Sequence, residues 1–467
     1  MPRLVIVSNR VGIPDGKARA GGLEVAIRSA LEQMECLWFG WSGKIGPHAE
    51  AQTLTRKNVT YTTVDLEQAD FDEFYNGFAN SVLWPVLHYR LDLIEFTRRD
   101  QSGYFRVNEY FARQLAPLLR PDDVIWVHDY HFIPLAQALS DLGCRNRIGF
   151  FLHIPFPPPE LIAALPNHER LLTQLSHYDL VGFQTERDAV NFASYFENER
   201  GALHSHPGTI VVDGREVAYG AFPVGIDVAD FSQLAQKAAE SDFVKEVTDS
   251  LGGRSMIIGV DRLDYSKGLP MRFDAYEMFL KNFPDWRQKI TYLQITPRSR
   301  ADIANYADIG RQIGQSVARI NGTYGEVTWT PLRYVNRAHN RRQLAGLLKM
   351  SRIALVTPLR DGMNLVAKEF VAAQDPDDPG VLVLSRFAGA AHELRDAVLV
   401  NPYDTEGFAA AIDRALSMPL DERRGRHRAL YKAVCASDSE GWAGKFLSRL
   451  NAPARNSRGD VRVVAGT

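Results

Sequence analysis

The feature that most constrains this chain is a repeated one. Short apolar runs end abruptly in polar or glycine-rich loops: "RLVIVSNR" (3–10), "LWFGWSG" (37–43), "DVIWVHDYH" (123–131), "RIGFFLHIPFP" (147–157), "YDLVGFQTE" (178–186), "SMIIGVDRLDYSKG" (255–268), "KITYLQITPRSR" (289–300), "RIALVTPLRDG" (352–362) and "GVLVLSRFAG" (380–389). Most are apolar on both faces, as a strand covered on both sides must be. Helix-forming stretches lie between many of them, at 20–34, 105–119, 132–142, 268–283, 300–318, 340–350, 363–374 and 405–417. Alternating β and α elements imply parallel sheets with helices on both faces.

A chain of 467 residues is too long for one ordinary core, so two such α/β domains are expected. "FPVGID" (222–227) reads as a hinge, which places an N-terminal Rossmann-like domain at 1–227 and a second at 228–436. A last helix is expected at 437–450, packing back on the N-terminal domain. A Pro-, Ser-, Gly- and Arg-containing tail, 451–467, is expected to fray. In open α/β sheets ligands bind beyond the carboxyl ends of the strands. Here those ends carry the polar residues, so chemistry is expected in a cleft between two facing domains.

Composition narrows the function classes. Apolar content of 45%, charged content of 24% and a net charge of −2 describe a soluble globular protein. No basic stripe with a nucleic-acid motif is present. No apolar stretch approaches the roughly 18 residues of a membrane span, and "MPRLVIVSNR" is strand-like rather than a leader, so a cytoplasmic location is expected. Cys36, Cys144 and Cys435 have no metal spacing and read as buried small hydrophobes in a reducing compartment.

Several strand ends carry candidate chemistry. Gly21 and Gly22 in "AGGLEVAI" open a helix, where backbone N–H groups and the helix terminus favour an anion; the plain alternative is a tight turn. The motif is not GxGxxG, which disfavours a nicotinamide cofactor. Arg10 ends the first run and is placed to meet an anion, or is a surface arginine. Tyr75 and Trp84, in "FYNGFANSVLWPVLHYR" (74–90), either line a sugar site or pack a core. Asp129 in "VHDYH" and His153 in "FFLHIPFPPPE" could be an acid–base pair or hydroxyl ligands. In "GVDRLDYSKGL" (259–269), Arg262 and Lys267 sit five apart on a loop that opens a helix, a diphosphate clamp without the order of a P-loop. Arg298 and Arg300 in "TPRSR" offer a second phosphate contact or a structural ion pair. In "LVTPLRDGMNLVAKEFVAAQ", Asp361 precedes a backbone cradle (Gly362, Met363, Asn364, Leu365), and Glu369 lies about two turns into the helix if that begins near Met363. A carboxylate there is a poor diphosphate ligand and a good acceptor for a ribose diol. A phosphate clamp, a diol acceptor and sugar-lining aromatics imply a nucleotide sugar, and the extra arginines a phosphorylated acceptor. With no metal-ligand cluster such as DxD with a His, leaving-group charge would fall to Arg262 and Lys267.

"VSNR", "AGGL", "WFGWSG", "VLWPVLHYR", "WVHDYH", "NRIGFFLHIPFP", "RLDYSKGLP", "RINGTYG", "TPLRDGMNLVAKE" and "VNPYD" occur together. With them the chain resembles the trehalose-6-phosphate synthases, retaining glycosyltransferases of the two-Rossmann-domain GT-B type, from about residue 3 to 450. The resemblance implies transfer of glucose from UDP-glucose to glucose 6-phosphate, without metal, cofactor or enzyme nucleophile. The leaving phosphate oxygen would take the acceptor proton on the front face. It implies an acceptor site of Arg10, Tyr75, Trp84, Asp129 and Arg300. It implies a donor site of Gly21, Gly22, Arg262, Lys267, His339 and the 361–365 backbone, with His153 and Asp361 on the donor glucose and Glu369 on the ribose. It also implies a homo-oligomer, dimer or tetramer. Departures are Asp261 where relatives often carry Glu, Arg298 where a small residue is common, and "NRAHNRRQ" (336–343), with His339 where an aromatic is common. The last leaves UDP, ADP and GDP open as donors. "DPDDPG" (375–380) reads as a loop, not a phosphatase nucleophile, so a separate phosphatase is expected downstream. Rivals are another phosphorylated acceptor, such as a glycerol or cyclitol phosphate, a silent sugar-phosphate sensor, and a pyridoxal-phosphate phosphorylase.

Overall fold

The computed structural model describes residues 2–11, 35–48, 50–297 and 304–452, with only the backbone described for 304–307. Gly21, Gly22, Arg298, Arg300, most of the expected 20–34 helix and the tail beyond 452 lie outside the described residues. The described chain forms two compact units, the first from residues 2–11, 35–222 and 443–452 and the second from 223–442. Among the described residues, no helix is long and apolar enough to cross a membrane.

Unit 1 is built on ten strands: β1 Leu4–Arg10, β2 Cys36–Ile45, β3 Gln52–Arg56, β4 Val59–Leu66, β5 Val124–His128, β6 Arg147–Phe151, β7 Leu180–Phe183, β8 Leu203–His206, β9 Thr209–Val212 and β10 Arg215–Ala221. Their order is β3-β4-β2-β1-β5-β6-β7-β10-β9-β8. From β4 through β10 in this order neighbouring strands pair in parallel, while β3 pairs antiparallel with β4 at one edge and β9 and β8 continue antiparallel from β10 at the other. β5 and β7 are buried at every position, as sheets covered on both faces require. Unit 2 carries β11 Ser255–Val260, β12 Ile290–Ile295, β13 Leu332–Val335, β14 Ile353–Val356, β15 Val381–Ser385 and β16 Val398–Val400. They form one parallel sheet in the order β13-β12-β11-β14-β15-β16.

These orders place the sites. The winding direction reverses between β1 and β5 in the first sheet and between β11 and β14 in the second. The crevice beyond the carboxyl ends of such a pair is where open α/β sheets bind ligands. Arg10 ends β1 and Asp129 directly follows β5; the 261–267 and 357–364 loops leave β11 and β14.

The structure adds one element to the sequence reading, moves the start of another and corrects the burial of two cysteines. The "FYNGFANSVL" stretch forms a π-helix, Phe71–Leu83, running into a short α-helix, Trp84–Leu87. The helix after Asp361 starts at Leu365, because Asn364 adopts a left-handed backbone (φ +77°) that cannot continue a right-handed helix. Glu369 is therefore one turn into it. Of the three free cysteines only Cys36 is buried; Cys144 is partly exposed and Cys435 exposed.

The last helix, Ser439–Asn451, enters unit 1 at Ala443. Its Phe446 ring stacks on Trp126 (centroids 4.8 Å apart) and meets Phe151 and Phe222 edge-on. Gly149 of β6 and Gly182 of β7 make the slot: a Cβ on either would come within 2.9 and 2.7 Å of that ring.

Candidate active site

In unit 1, Arg10 is exposed at the end of β1, its guanidinium 5.3 Å from the centroid of the Trp41 ring. Gly43, in the same β2 run, has φ +86°, and a Cβ there would lie 2.6 Å from the Arg10 guanidinium. The "WFGWSG" motif thus supplies both a ring and a notch that hold one cation at the switch point. Tyr75 is half-buried in an aromatic stack formed by Trp41, Phe71 and His131, with centroids 5.7, 5.3 and 5.9 Å away. Trp84 is nearly enclosed, against His88 and Tyr130. It therefore offers a ligand little more than an edge.

Asp129 sits at φ +76°, ψ 165°. For a residue with a Cβ this is strained backbone, a cost of about 1–3 kcal/mol that surrounding contacts must offset. The Asp129 N–H donates to the Phe151 carbonyl at 2.8 Å, and its Oδ1 accepts from the backbone N–H of His153 at 3.3 Å. Asp129 thus ties the backbone of β5's end to that of His153. That ring lies with Nε2 3.0 Å from Nδ1 of buried His128 and Nδ1 3.5 Å from the Gln184 amide. Removal from water pushes the His153 pKa down to about 3. A neutral imidazole in such a chain is a hydrogen-bonding group rather than a proton donor at neutral pH.

In unit 2, two loops are tied together. The Ser266 carbonyl accepts the N–H of Leu359 at 2.7 Å. Gly268 (φ +66°) lets the chain pass so close that a Cβ would lie 2.9 Å from the Thr357 carbonyl. Across this junction Lys267 Nζ donates to Asp361 Oδ2 at 2.5 Å, and Asn364 Nδ2 to the same oxygen at 3.0 Å. Both partners of the ion pair are mostly buried. Sequence had assigned Lys267 and Asp361 to different tasks; they form one unit, in which the carboxylate aims the ammonium. Arg262 stands exposed on the same loop.

The 361–365 backbone is fixed from behind. Gly389 N–H donates to the Asp361 carbonyl (3.1 Å), and Ala390 N–H to that of Met363 (2.8 Å). The approach is so close that a Cβ on Gly389 would overlap the Gly362 carbonyl. The first N–H groups of the helix Leu365–Ala373 have no intrahelical acceptor and favour an anion. Asn364 Oδ1 is buried without a partner among the described residues. Glu369 is pushed up to about 7 by burial, against the opposing pull of Arg341. Arg341 opens the preceding helix, Arg341–Met350, beside His339, whose ring meets Phe243 at 5.7 Å and whose Nδ1 lies 3.3 Å from Gln343 Oε1.

Asp261 is not turned to a ligand: it is buried and paired with Arg272. Neither Arg272 nor His128 was singled out by sequence. The signal for His128 is its position one residue before Asp129; Arg272, inside a helix, left none. One group among the described residues has metal-like spacing, His168, Glu169 and Glu199 in unit 1. Two of its members are already engaged, His168 with the Tyr195 hydroxyl and Glu169 with Arg200.

The model of glycosyltransferase family 20 matches residues 10–452. The chain belongs to glycosyltransferase family 20. Within this family it is 52% identical to a trehalose-6-phosphate synthase of Sinorhizobium fredii, an alignment spanning 97% of this chain and 99% of that protein. An E. coli structure described as trehalose-6-phosphate bound with UDP-2-fluoro glucose superposes with a TM-score of 0.93 at 46% identity, covering 97% and 99% of the two chains. A UDP-forming α,α-trehalose-phosphate synthase of Burkholderia xenovorans, in complex with glucose-6-phosphate, gives 0.93 at 45% identity, covering 96% and 100%. The family-20 fold is thus the two-Rossmann GT-B arrangement, and the chain is a glycosyltransferase.

Proposed function

We propose that the chain transfers glucose from UDP-glucose to glucose 6-phosphate with retention, giving α,α-trehalose 6-phosphate and UDP. The observation that carries this is the Lys267–Asp361 pair at a helix N-terminus beyond the β11/β14 switch point, in a chain that matches trehalose-6-phosphate synthases over nearly its whole length. Arg262, Lys267 and the 361–365 backbone would hold the diphosphate, and Glu369 the ribose diol. His153 and Asp361 would bond the donor glucose, and His339 would sit toward the base. Gly21 and Gly22 would approach the diphosphate. Arg10 and Arg300 would take the acceptor phosphate, and Tyr75, Trp84 and Asp129 its sugar. We assign residues 1–227 to acceptor binding and 228–436 to the nucleotide sugar, with the 437–450 helix returning to the first domain.

In the reaction, the bond from glucose C1 to the β-phosphate oxygen breaks and negative charge grows on that oxygen. Arg262, Lys267 and the helix terminus face it, the arrangement that lowers such a barrier. The acceptor hydroxyl attacks C1 on the same face and passes its proton to the departing phosphate oxygen, so no enzyme base is consumed. Neutral His153 fits a role as hydroxyl partner. With leaving-group charge met by cations of the chain, the reaction is proposed to need no metal. The chain is proposed to act in the cytoplasm as a homo-oligomer, its phosphorylated product passing to a separate phosphatase.

Incubating pure protein with UDP-, ADP- or GDP-glucose and a panel of phosphorylated acceptors, with and without EDTA, tests this. UDP and a phosphorylated non-reducing disaccharide should form at the same rate with chelator. Their absence with every donor would overturn the assignment, and an EDTA-sensitive rate would overturn metal independence.

A further inference from the structure

Arg272 lies in the first turn of the helix Leu269–Asn282, fully buried. Its guanidinium is a hub. Nη1 donates to Asp261 Oδ2 at 2.5 Å and to Gln294 Oε1 at 3.0 Å; Nε donates to Thr357 Oγ1 at 2.8 Å; Nη2 donates to the Lys267 carbonyl at 3.2 Å. These acceptors follow or end three different strands: Asp261 after β11, Gln294 in β12 and Thr357 after β14. Space for the fork is made by Gly259, where a Cβ would lie 3.0 Å from Nη1 and closer still to Gln294 and Tyr292.

A buried charge of this kind is expensive to place, and apolar packing would close the same space at no such cost. Its geometry matches what a rigid, planar, multidentate donor does and a point charge does not. Of its contacts, two belong to the loops that meet across the Lys267–Asp361 pair. The Lys267 carbonyl is the backbone of one partner, and Thr357 opens the loop that leads to the other.

Resting on the proposed function, we propose that Arg272 is a positioning residue for the leaving-group cation: it fixes the register of the 264–268 loop against the 357–361 loop, so that Lys267 is held where the diphosphate charge develops. It touches no substrate and acts through Lys267.

A double-mutant cycle tests this, since groups acting through one another are non-additive and independent ones are not. Arg272→Lys keeps the charge beside Asp261 but loses the fork, and should lower kcat about 10-fold or more while changing the KM for glucose 6-phosphate by less than about 3-fold. In a Lys267→Ala background the same change should cost less than about 3-fold further. Equal losses in both backgrounds would mean that Arg272 only supports the core, and would overturn the inference. Thr357→Val, a smaller cut at the same hub, runs the identical cycle should Arg272→Lys fail to fold. The Kd of UDP, measured by calorimetry across the four proteins, repeats the cycle without turnover. An inactive parent that binds UDP with non-additive losses would therefore count against the proposed reaction and for the role of Arg272, whereas an active parent with additive losses would do the reverse.

Discussion

At the scale of the residue, Glu369 is the group whose chemistry depends most on where the chain puts it. Its ordinary value of 4.5 is raised to about 7 by burial. Folding thus takes up a proton at this side chain between those two values. Its contribution to stability is full below about pH 4.5, declines as pH rises through the window and is lost above about 7. Glu369→Gln should remove that slope: from pH 5 to pH 8 the variant gains about 1–3 kcal/mol of unfolding free energy relative to the parent, measured by urea titration. The ionised form is the better diol acceptor, so UDP-glucose should bind the parent about 5- to 10-fold more tightly at pH 8 than at pH 6, and Glu369→Gln should flatten the difference. Gly43 is the second such case. Gly43→Ala both strains a left-handed backbone and pushes the Arg10 guanidinium out of its notch. It should cost about 1–2 kcal/mol in thermal unfolding and raise the KM for glucose 6-phosphate about 10-fold or more, the worth of a charged hydrogen bond. Residues at or just beyond strand ends, such as Arg10, Asp129, Lys267 and Asp361, could be picked out of the sequence because polarity breaks an apolar run there. Arg272 and Gly43 could not: one looks like any helix arginine, and the other's meaning lies in what passes beside it.

At the scale of the element, the apolar strands were legible because burial on both faces leaves no period to misread. The edge hairpins β3–β4 and β8–β9 were not, since β3 and β8 are exposed at every position and carry no such signal. The π-helix Phe71–Leu83 escaped for another reason: its apolar pattern fits a core and a ligand wall equally well. What holds it is an ion-pair network at its start. Arg106 bridges Asp70 and Glu73, Arg99 also meets Glu73, and His48 meets Asp70. Asp70 and Glu73 are largely buried while Arg106 is half-exposed, so removing the arginine leaves each carboxylate one remaining partner. Arg106→Ala should therefore cost about 1–2 kcal/mol. Because this helix carries Tyr75, the KM for glucose 6-phosphate should rise several-fold with kcat less affected; unchanged KM would separate the network from the acceptor.

At the scale of the whole molecule, each sheet puts candidate residues at the point where its strand order reverses, Arg10 and Asp129 in the first and Lys267 and Asp361 in the second, which is why a motif list and a topology agree there. Division of the chain into two units is less simple than a single hinge, because residues 443–452 belong with the first. Phe446 fills the slot over Gly149 and Gly182. Phe446→Ala empties it and should cost about 3–5 kcal/mol, read as a lowered Tm, with kcat below the transition changed little. The same slot has a consequence for how the protein is made. Synthesis is vectorial, and domains commonly fold as they emerge. Here the ring that covers β6 and β7 is translated only after all of unit 2, so the nascent first sheet waits with Trp126, Phe151 and Phe222 uncovered. That interval is when a chaperone would find this chain most adhesive, and when a stalled ribosome would leave it most prone to aggregate.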